Sequence, residues 1–381
     1  MRRSIRLPLL LGALTAATVL PACGGSSAPE GRTAPARGAD ATPARAEASA
    51  SNVYAGTGPG NLAPATKGVP SRVYVPNSES DTVTVIDPRR RKVVRTFDVG
   101  GLPQHVTPAP DLKTLYVNSN QGNTLTRIDP RTARKVGRPL PVEDPYNLYF
   151  TPDGRTAIVV AERLLRLDFR DGRTMRVEKH LPVPCKGINH LDFSADGRYF
   201  VASCEFGSAL IKVDTHRRKV IDRVDLPRSG MPQDVRISPD GKLFYVADMQ
   251  AHGVWVADGD PLRIRKFLPT GQGAHGLQPS RDGRRVFVSN RGEGSISVLD
   301  FAKRKIVKKW QMPGGGSPDM GGVSPDGREL WLGGRYDGEV YAIDTRNGKV
   351  LARIPVGSGP HGLAVWPQPG SRSLGHTGNM R

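Results

Sequence analysis

The stretch P-Q-D-V-R-I-S-P-D-G-K-L-F-Y-V-A-D, residues 232–248, predicts the fold of this chain. Two short apolar runs, at residues 235–238 and 243–247, flank the segment Pro239-Asp240-Gly241-Lys242. Proline presets the turn and glycine permits a positive φ, so the stretch predicts a tight β-hairpin.

The same turn recurs along the chain, beginning at Thr151, Ser194, Ser280 and Ser324, with a weaker copy at Ala109. The turn aspartates are spaced 42 to 44 residues apart. A second marker has the same period: an apolar third strand ends in aspartate at Asp87, Asp129, Asp168, Asp214, Asp258, Asp300 and Asp344. Seven such units of four short strands predict an all-β, seven-bladed β-propeller.

The two ends of the repeat region complement each other. Residues 72–97 supply only strands two to four of a blade, whereas residues 362–366 read as a lone inner strand. We therefore expect the last blade to be assembled from both termini, which removes free sheet edges. This gives a propeller over residues 72–367, a lead-in segment over 52–71 and a C-terminal tail over 368–381. Because residues 52 onward show no helical apolar period, we expect almost no α-helix there.

The N-terminus reads as a targeting segment. Arg2, Arg3 and Arg6 precede an apolar run at residues 7–20 that is too short to span a membrane comfortably. The following Leu20-Pro21-Ala22-Cys23-Gly24 resembles the lipobox of bacterial lipoproteins. This resemblance implies a signal peptide at 1–22, lipidation of Cys23, and a membrane-anchored protein on the extracytoplasmic side. An ordinary signal peptide with an incidental cysteine is the alternative.

Composition adds three expectations. Residues 23–51 lack large apolar side chains and are predicted to be a disordered tether. The formal charge of +19 falls to about +16 without the three signal-segment arginines, which favours anionic partners. Cys185 and Cys204 would be the remaining thiols, and in an oxidising compartment they predict a disulfide. A metal site with His190, or a redox-active pair, is the alternative.

Several second strands resemble a known repeat. Tyr74-Val75-Pro76-Asn77, Tyr116-Val117-Asn118, Tyr245-Val246-Ala247-Asp248 and Phe287-Val288-Ser289-Asn290 each precede a V-x-V-I-D-like strand. They resemble the YVTN repeats of YncE-like β-propellers over residues 72–367. The resemblance implies the fold but not one function, because similar propellers include binding proteins, lactonases and domains of copper and haem enzymes.

The residues just ahead of the inner strands are expected to surround the channel mouth. The pairs are Gln104-His105, Tyr146-Asn147, Asn189-His190, Gln233-Asp234, His275-Gly276, Asp319-Met320 and His361-Gly362. We take His105, Asn147, His190, Asp234, His275, Asp319 and His361 as candidate ligand-binding residues. All of these except Asn147 are also candidate ligands for copper or zinc. The repeat is similar to the propeller of nitrous oxide reductases, which bind copper with histidines at such a mouth. Asn147 and Met320 interrupt the ring, so a hydrated polar mouth is the alternative.

The loops between strands two and three add charge to the same face. They contribute Arg291 and Arg335 together with the carboxylates Glu79, Asp81, Glu162, Glu205, Asp248, Glu293 and Asp337. Such a face suits a small polar ligand, a peptide or a metal, with solvated carboxylates as the alternative.

The opposite face is predicted to carry a basic rim. The turns after strand three contain Arg89, Arg90, Arg91 and Lys92, then Arg131, Arg134 and Lys135, then His216, Arg217, Arg218 and Lys219, then Lys303, Arg304 and Lys305. Their candidate partners are anionic lipid, a wall polymer or nucleic acid. Interleaved aromatic residues are lacking, so nucleic-acid binding would rest on phosphate attraction. A basic surface without a dedicated partner is equally compatible with the sequence.

Taken together, the patterns favour a monomeric, membrane-tethered, extracytoplasmic binding or scaffold propeller. Alternatives are a copper- or zinc-binding or redox-associated protein, a lactonase-like hydrolase using His275 and His361, and a nucleic-acid or anionic-polymer binder. The sequence lacks G-x-S-x-G, H-E-x-x-H and C-x-x-C-H motifs, which weighs against an enzyme.

Overall fold

The repeated turn closes a hairpin between the two innermost strands of a blade. In the hairpin of residues 232–248, the Ser238 amide donates to the Leu243 carbonyl at 2.7 Å, and the Leu243 amide donates to the Ser238 hydroxyl at 2.9 Å. Asp240 accepts the Lys242 amide at 3.2 Å, and Gly241 adopts a φ of +70°. Glycine suits this left-handed conformation because it has no Cβ.

The computed structural model describes residues 52–381, where seven antiparallel blades form a propeller ring. Blade 1 consists of Ala364–Trp366, Arg72–Asn77, Thr82–Asp87 and Lys92–Asp98, from the inner to the outer strand. Blade 2 consists of Pro103–Pro108, Leu115–Ser119, Thr124–Asp129, Arg134–Lys135 and Leu140–Pro141. Blade 3 contains Pro145–Phe150, Thr156–Ala161, Arg166–Asp171 and Val177–Pro182. Blade 4 contains Ile188–Phe193, Tyr199–Cys204, Ala209–Asp214 and Lys219–Asp225.

The remaining three blades repeat the same order. Blade 5 contains Pro232–Ile237, Leu243–Asp248, Gly253–Gly259 and Leu262–Pro269. Blade 6 contains Ala274–Pro279, Arg285–Asn290, Ser295–Asp300 and Lys305–Gln311. Blade 7 contains Pro318–Val323, Glu329–Gly334, Glu339–Asp344 and Val350–Pro355. The described helical segments are single turns at Ala55–Thr57, Pro64–Thr66, Glu205–Gly207 and His376–Gly378.

These findings confirm the seven-bladed propeller and its closure from both termini. Trp366 pairs with Arg72, and Ala364 pairs with Tyr74, so the C-terminal strand completes blade 1. One marker was wrong. The third strand of blade 3 ends at Asp171, whose carboxylate caps the turn by accepting the Arg173 and Thr174 amides, whereas Asp168 lies inside the strand.

Apolar side chains pack between neighbouring blades. One buried cluster joins Val235 and Phe244 of blade 5 to Leu277 and Val286 of blade 6. Buried carboxylates of the inner strands also link successive blades. Asp192 accepts the Ile237 amide at 2.9 Å, and Asp234 accepts the Leu277 amide at 2.9 Å. These contacts hold the inner strands at a fixed spacing around the channel.

The lead-in segment lies on the face that carries the S-P-D-G turns, which we call the floor. Val53 donates its amide to the Pro239 carbonyl, and the Tyr54 hydroxyl donates to the Ile237 carbonyl at 2.7 Å. Gly60 donates to Pro325 in the turn of blade 7. The opposite face, where loops connect one blade to the next, is the mouth of the channel.

The C-terminal residues 368–381 fold back into the channel. Strands Ser373–Gly375 and Asn379–Met380 pair with each other, and Gly375 pairs with Tyr149 on the inner strand of blade 3. The Arg381 guanidinium contacts Asp192 at 3.0 Å. The segment therefore fills the ring from the floor side.

No helix among residues 52–381 is long and apolar enough to span a membrane. The predicted signal peptide, Cys23 and the tether to residue 51 lie outside the described residues and stay predictions.

Deleting residues 362–381 is expected to abolish cooperative folding, because it removes the inner strand of blade 1 and leaves two unclosed edges. Deleting only 371–381 leaves that strand in place and should lower the melting temperature without abolishing the transition. Thermal melting followed by circular dichroism distinguishes the two. Equal, cooperative melting of both truncations would contradict the closing role of Ala364–Trp366.

Candidate functional site

The pairing between the inner strand and the second strand of a blade is interrupted at the candidate residues. The ladder shifts between Ile188 and Leu191 in blade 4, so Asn189 and His190 lie outside it. Two residues are likewise left out of the ladder in blades 5, 6 and 7. In blades 2 and 3 one residue is left out, while His105 pairs with Asn118 and Asn147 pairs with Val160. The sequence predicted that the candidates lie ahead of the inner strands. That is correct for His361, which precedes Ala364–Trp366, but in blades 2 to 7 the candidates lie inside the first half of the strand. The irregularity redirects their side chains, as β-bulges do.

Three histidines converge at the centre of the ring. One ligand atom each from His105, His190 and His376 lies within 4.8 Å of the others. The ring centroid of His105 lies 5.3 Å from that of His190 and 4.8 Å from that of His376. All three residues are completely buried. We call this set the histidine trio.

His105 and His190 come from the predicted column, but His376 was not predicted. It lies in the C-terminal tail, outside the repeat, and reaches the trio only because the tail enters the channel. The sequence signal was weak: a lone histidine beside Gly375 and Gly378 in a segment that lacks the repeat pattern.

The trio has unsatisfied hydrogen-bonding capacity. Both ring nitrogens of His105 lack a hydrogen-bond partner within residues 52–381, as do Nε2 of His190 and Nε2 of His376. A buried polar atom without a partner costs about 1–3 kcal/mol, so native proteins rarely leave several together. Four such nitrogens around one point indicate a missing partner.

The backbone at Gly362 packs directly against the His105 ring and helps to hold it in the trio. A Cβ at residue 362 would stand 2.5 Å from the His105 ring, so only glycine fits at that position. On the mouth side, the Tyr146 ring contacts the rings of His105 and His190 edge-on at 5.5 and 6.0 Å.

Asn147 orients the other two rings. Its amide nitrogen lies 2.9 Å from Nδ1 of His190 and 3.2 Å from Nδ1 of His376. Its oxygen accepts the Leu148 amide at 3.0 Å. With the amide in this position, both Nδ1 atoms accept and both Nε2 atoms carry the proton. Binding of a cation through Nε2 requires the other tautomer, in which Nδ1 carries the proton and the Asn147 oxygen turns to accept it.

Burial holds the three imidazoles neutral. It lowers the pKa of His105 from its ordinary 6.5 to about 3. Burial, followed by the neighbouring His376, lowers the pKa of His190 well below the ordinary value, and burial does the same for His376. Neutral imidazole is the form that binds transition metals.

A second group, His275, Asp319 and His361, lies beside the trio and is also buried. His275 Nδ1 lies 2.6 Å from Asp319 Oδ1, which is an ion-pair distance although the contact is not aligned as a hydrogen bond. Arg291 lies 3.3 Å from the same oxygen. Burial would raise the pKa of Asp319, but His275 and Arg291 outweigh it and hold that pKa well below its usual value.

His361 connects the two groups. Its Nδ1 donates to the Gln104 carbonyl at 3.1 Å, and its Nε2 lies 3.6 Å from Asp319 Oδ2. Its ring centroid lies 4.8 Å from that of His105. Burial lowers the pKa of His361 well below its usual value. Arg291 and His275 both face Asp319, so this second group already contains opposite charges.

Asp234 does not join either group. Its oxygens accept the Val235 amide, the Leu277 amide and the Arg236 guanidinium, all within 2.9 Å. His376 Nε2 approaches it at 3.5 Å. The carboxylate of Asp234 therefore links blades and lies beside the trio, without a free ligand atom.

Most mouth-loop carboxylates bind the adjacent loops that connect one blade to the next. Asp81, Asp248, Glu293 and Asp337 each accept a backbone amide from the loop that precedes an inner strand, from Leu102, Met231, Gln272 and Ser317 respectively. Glu162 and Glu205 differ. Burial, followed by the charge of Glu205, raises the pKa of Glu162 to about 9, so the pair holds a proton at neutral pH.

Cys185 and Cys204 form a disulfide in the structure, with Cα atoms 5.1 Å apart. Both are buried on the mouth side of blade 4. With both sulfurs in this bond, neither is a thiolate ligand beside His190.

Comparison with known proteins identifies the fold family. The model of the YncE-like β-propeller family matches residues 47–369. The chain belongs to this family.

Individual relatives are distant. This propeller is 26% identical to antigen Lp49 of Leptospira interrogans over 178 residues, which is 41% of this chain and 38% of that protein. It is 26% identical to the uncharacterized protein YncE of Escherichia coli K12 over 156 residues, 39% of this chain and 43% of that protein. The matches thus span less than half of each relative's length.

Among solved structures, the periplasmic gluconolactonase of Pseudomonas aeruginosa superposes with a TM-score of 0.65 at 20% identity. The superposition covers 78% of this chain and 99% of that structure. At this identity the similarity shows the fold alone.

The buried histidines predict a pH-dependent stability of the metal-free protein. The pKa values of His105, His190, His361 and His376 are lowered in the folded state by burial. Below an ordinary pKa of about 6.5 the unfolded chain therefore takes up protons at these residues that the folded chain does not. Stability should be full above pH 6.5 and decline as the pH falls toward 3, by roughly 1.4 kcal/mol per pH unit for each histidine.

Thermal melting from pH 7.5 to 4 measures this decline. His376→Gln should reduce the slope of stability against pH by the contribution of about one proton. His216→Gln, at an exposed position, should leave the slope unchanged. A wild-type melting temperature that is constant between pH 6.5 and 5 would contradict the assignment.

Proposed function

We propose that this YncE-like propeller is an extracytoplasmic metal-binding protein, in which His105, His190 and His376 hold one copper or zinc ion. The observation that carries the proposal is His105, a fully buried imidazole. Among the described residues 52–381 neither of its ring nitrogens has a hydrogen-bond partner, and one nitrogen each of His190 and His376 beside it also lacks one. This combines the binding-protein hypothesis with the metal alternative drawn from the sequence.

The donor set suits these ions. Three neutral imidazoles without a thiolate or a bound carboxylate match the preferences of copper and zinc, and not those of magnesium or calcium. The protein contributes a fixed geometry, because the bulged inner strands hold His105 and His190 and the tail holds His376. Asn147 would leave both Nε2 atoms free for the ion once its oxygen turns toward the two Nδ1 atoms.

The second group, His275, Asp319 and His361, would lie beside the bound ion. His361 already points its Nδ1 proton at a carbonyl, which leaves Nε2 as an acceptor on the side of Asp319. Asp319 would supply negative charge beside the cation. Because His275 and His361 both face this carboxylate, we assign them to charge balance at the ion rather than to lactone hydrolysis.

Metal analysis tests this proposal. Protein produced without an affinity tag and saturated with copper or zinc should retain about one ion per chain after dialysis, since binding is coupled to the folded site. His105→Ala and His376→Gln should each lower retention at least about tenfold, the typical minimum for loss of a ligand or its supporting partner.

The matched control is His252→Gln, an exposed histidine on the mouth side, which should retain the wild-type content. Circular dichroism establishes that each variant is folded. Retention under about 0.1 ion per chain by folded wild-type protein would overturn the proposal.

Membrane anchorage through Cys23 is the second part of the proposal, and the lipobox-like sequence supports it. Cys23→Ala should abolish incorporation of labelled fatty acid and retain the signal segment, seen as a higher mass. Cys185→Ala, which lies in the propeller, is the control and should be labelled normally. Fatty-acid labelling of the Cys23→Ala chain would refute the anchor.

A further inference from the structure

A ring of basic side chains surrounds the floor. In blades 1, 2, 4 and 6 the turns after the third strand expose clusters that include Arg89, Arg90, Arg131, Arg134, Arg217, Lys219, Lys303 and Lys305. The structure adds exposed Arg173 and Arg176 in blade 3 and Arg346 and Lys349 in blade 7, which the sequence analysis had not included. Six of the seven blades thus contribute positive charge to one rim.

Much of this charge is not neutralised locally. Within residues 52–381, Arg89, Arg90, Lys303 and Lys305 have no carboxylate within ion-pair distance. The aspartates that end the third strands accept amides of their own turns instead. Asp87, for example, accepts the Arg89 amide at 3.0 Å, and Asp300 accepts the Lys303 amide at 2.8 Å.

Apolar side chains stand exposed next to the same clusters. Val93 and Val94 follow Lys92 and are 42% and 44% exposed. Val136 follows Lys135, and Ile221 and Val307 lie two residues beyond Lys219 and Lys305. These three are 44%, 47% and 39% exposed. Five of the ten large hydrophobic residues that the described chain exposes therefore adjoin the basic rim.

The described chain begins on this face. Val53 and Tyr54 bind the floor side of blade 5, so the first described residues lie at the floor. The mouth face, in contrast, combines Arg163, Arg291 and Arg335 with the carboxylates of its loops. Four other exposed apolar residues, Leu164, Leu165, Phe206 and Tyr336, lie in mouth loops. Within residues 52–381 the floor is therefore distinguished by basic side chains without local carboxylates, with apolar side chains directly beside them and the described chain starting there.

We propose that the floor rim binds directly to the surface of an anionic lipid bilayer, with basic side chains on the headgroups and the adjacent apolar side chains at the interface. Basic residues near such a surface each contribute to binding, and apolar neighbours add to it. The histidine trio would then open away from the bilayer. Nucleic acid fits less well, because the clusters are dispersed around a rim and lack aromatic side chains that would stack on bases.

Vesicle binding tests the proposal with the chain from residue 24 to 381, which has the entire closed ring but not the cysteine that would carry lipid. Vesicles of phosphatidylcholine with 30% phosphatidylglycerol are compared with pure phosphatidylcholine. We expect sedimentation with the anionic vesicles only, and weaker binding as salt is raised.

Three variants identify the surface. Arg89→Ser, Arg90→Ser and Lys303→Ser combined should weaken binding more than about tenfold, because each basic residue contributes roughly a fivefold gain near an anionic surface. Lys186→Ser, Arg228→Ser and Lys266→Ser combined remove the same charge from exposed positions off the rim and should change binding less than about twofold. Val93→Ser with Val94→Ser should weaken binding without changing the net charge.

Equal loss in the two triple variants would overturn the proposal, since net charge rather than the rim would then be responsible. So would equal binding to both kinds of vesicle. Binding to duplex DNA without binding to anionic vesicles would instead assign the rim to nucleic acid. Retained metal content in the rim variants keeps this outcome separate from that of the histidine trio.

Discussion

Closure of the ring by three residues near the C-terminus is the constraint on which the rest of the structure depends. The pairing of Ala364–Trp366 with the first strand of blade 1 converts a row of blades into a ring. In a ring, every inner strand faces the same axis, so one side chain per blade reaches a common centre. Without closure, His105 and His361 would belong to opposite ends of an open array rather than to neighbouring blades.

The same closure explains why the tail enters the channel. After Trp366 completes blade 1, the chain emerges at the floor and continues as residues 368–381. They turn inward, pair with the inner strand of blade 3 and bury His376 among other imidazoles. Burying neutral imidazole costs far less than burying a charge, but leaving its nitrogens unpartnered is costly. The arrangement is reasonable for a protein that supplies the missing partner as a cation.

The fold could be predicted from the sequence because the repeat is local. Each strong copy of the turn places aspartate and glycine in adjacent positions, and the third strands alternate apolar and polar residues. The same locality caused the misplaced marker in blade 3, where Asp168 directly follows the apolar Leu167, whereas Asp171 follows Arg170. Only the capping contacts, through which Asp171 accepts two turn amides, distinguish them.

The site could be predicted only in part. His105 and His190 occupy equivalent positions of the repeat, so their convergence follows from the ring. His376 occupies no repeat position, and no periodic pattern could place it. Asp234 occupies the same repeat position as His105 and His190, and the sequence therefore predicted it as a ligand. In the structure its oxygens already accept hydrogen bonds from Arg236 and the Leu277 amide. Whether a carboxylate is free to bind depends on contacts between blades, which a single sequence does not display.

The two ends of the channel are chemically different, and this difference joins the two proposals. The tail and the lead-in occupy the floor, where the basic rim also lies, so an ion could reach the trio only from the mouth, past Tyr146 and Arg291. A bilayer beneath the floor would leave that mouth free, whereas a bilayer over the mouth would block it and would face the loop carboxylates. Lipid binding at the floor and cation entry at the mouth are therefore compatible in one molecule, because the two surfaces lie at opposite ends of the channel.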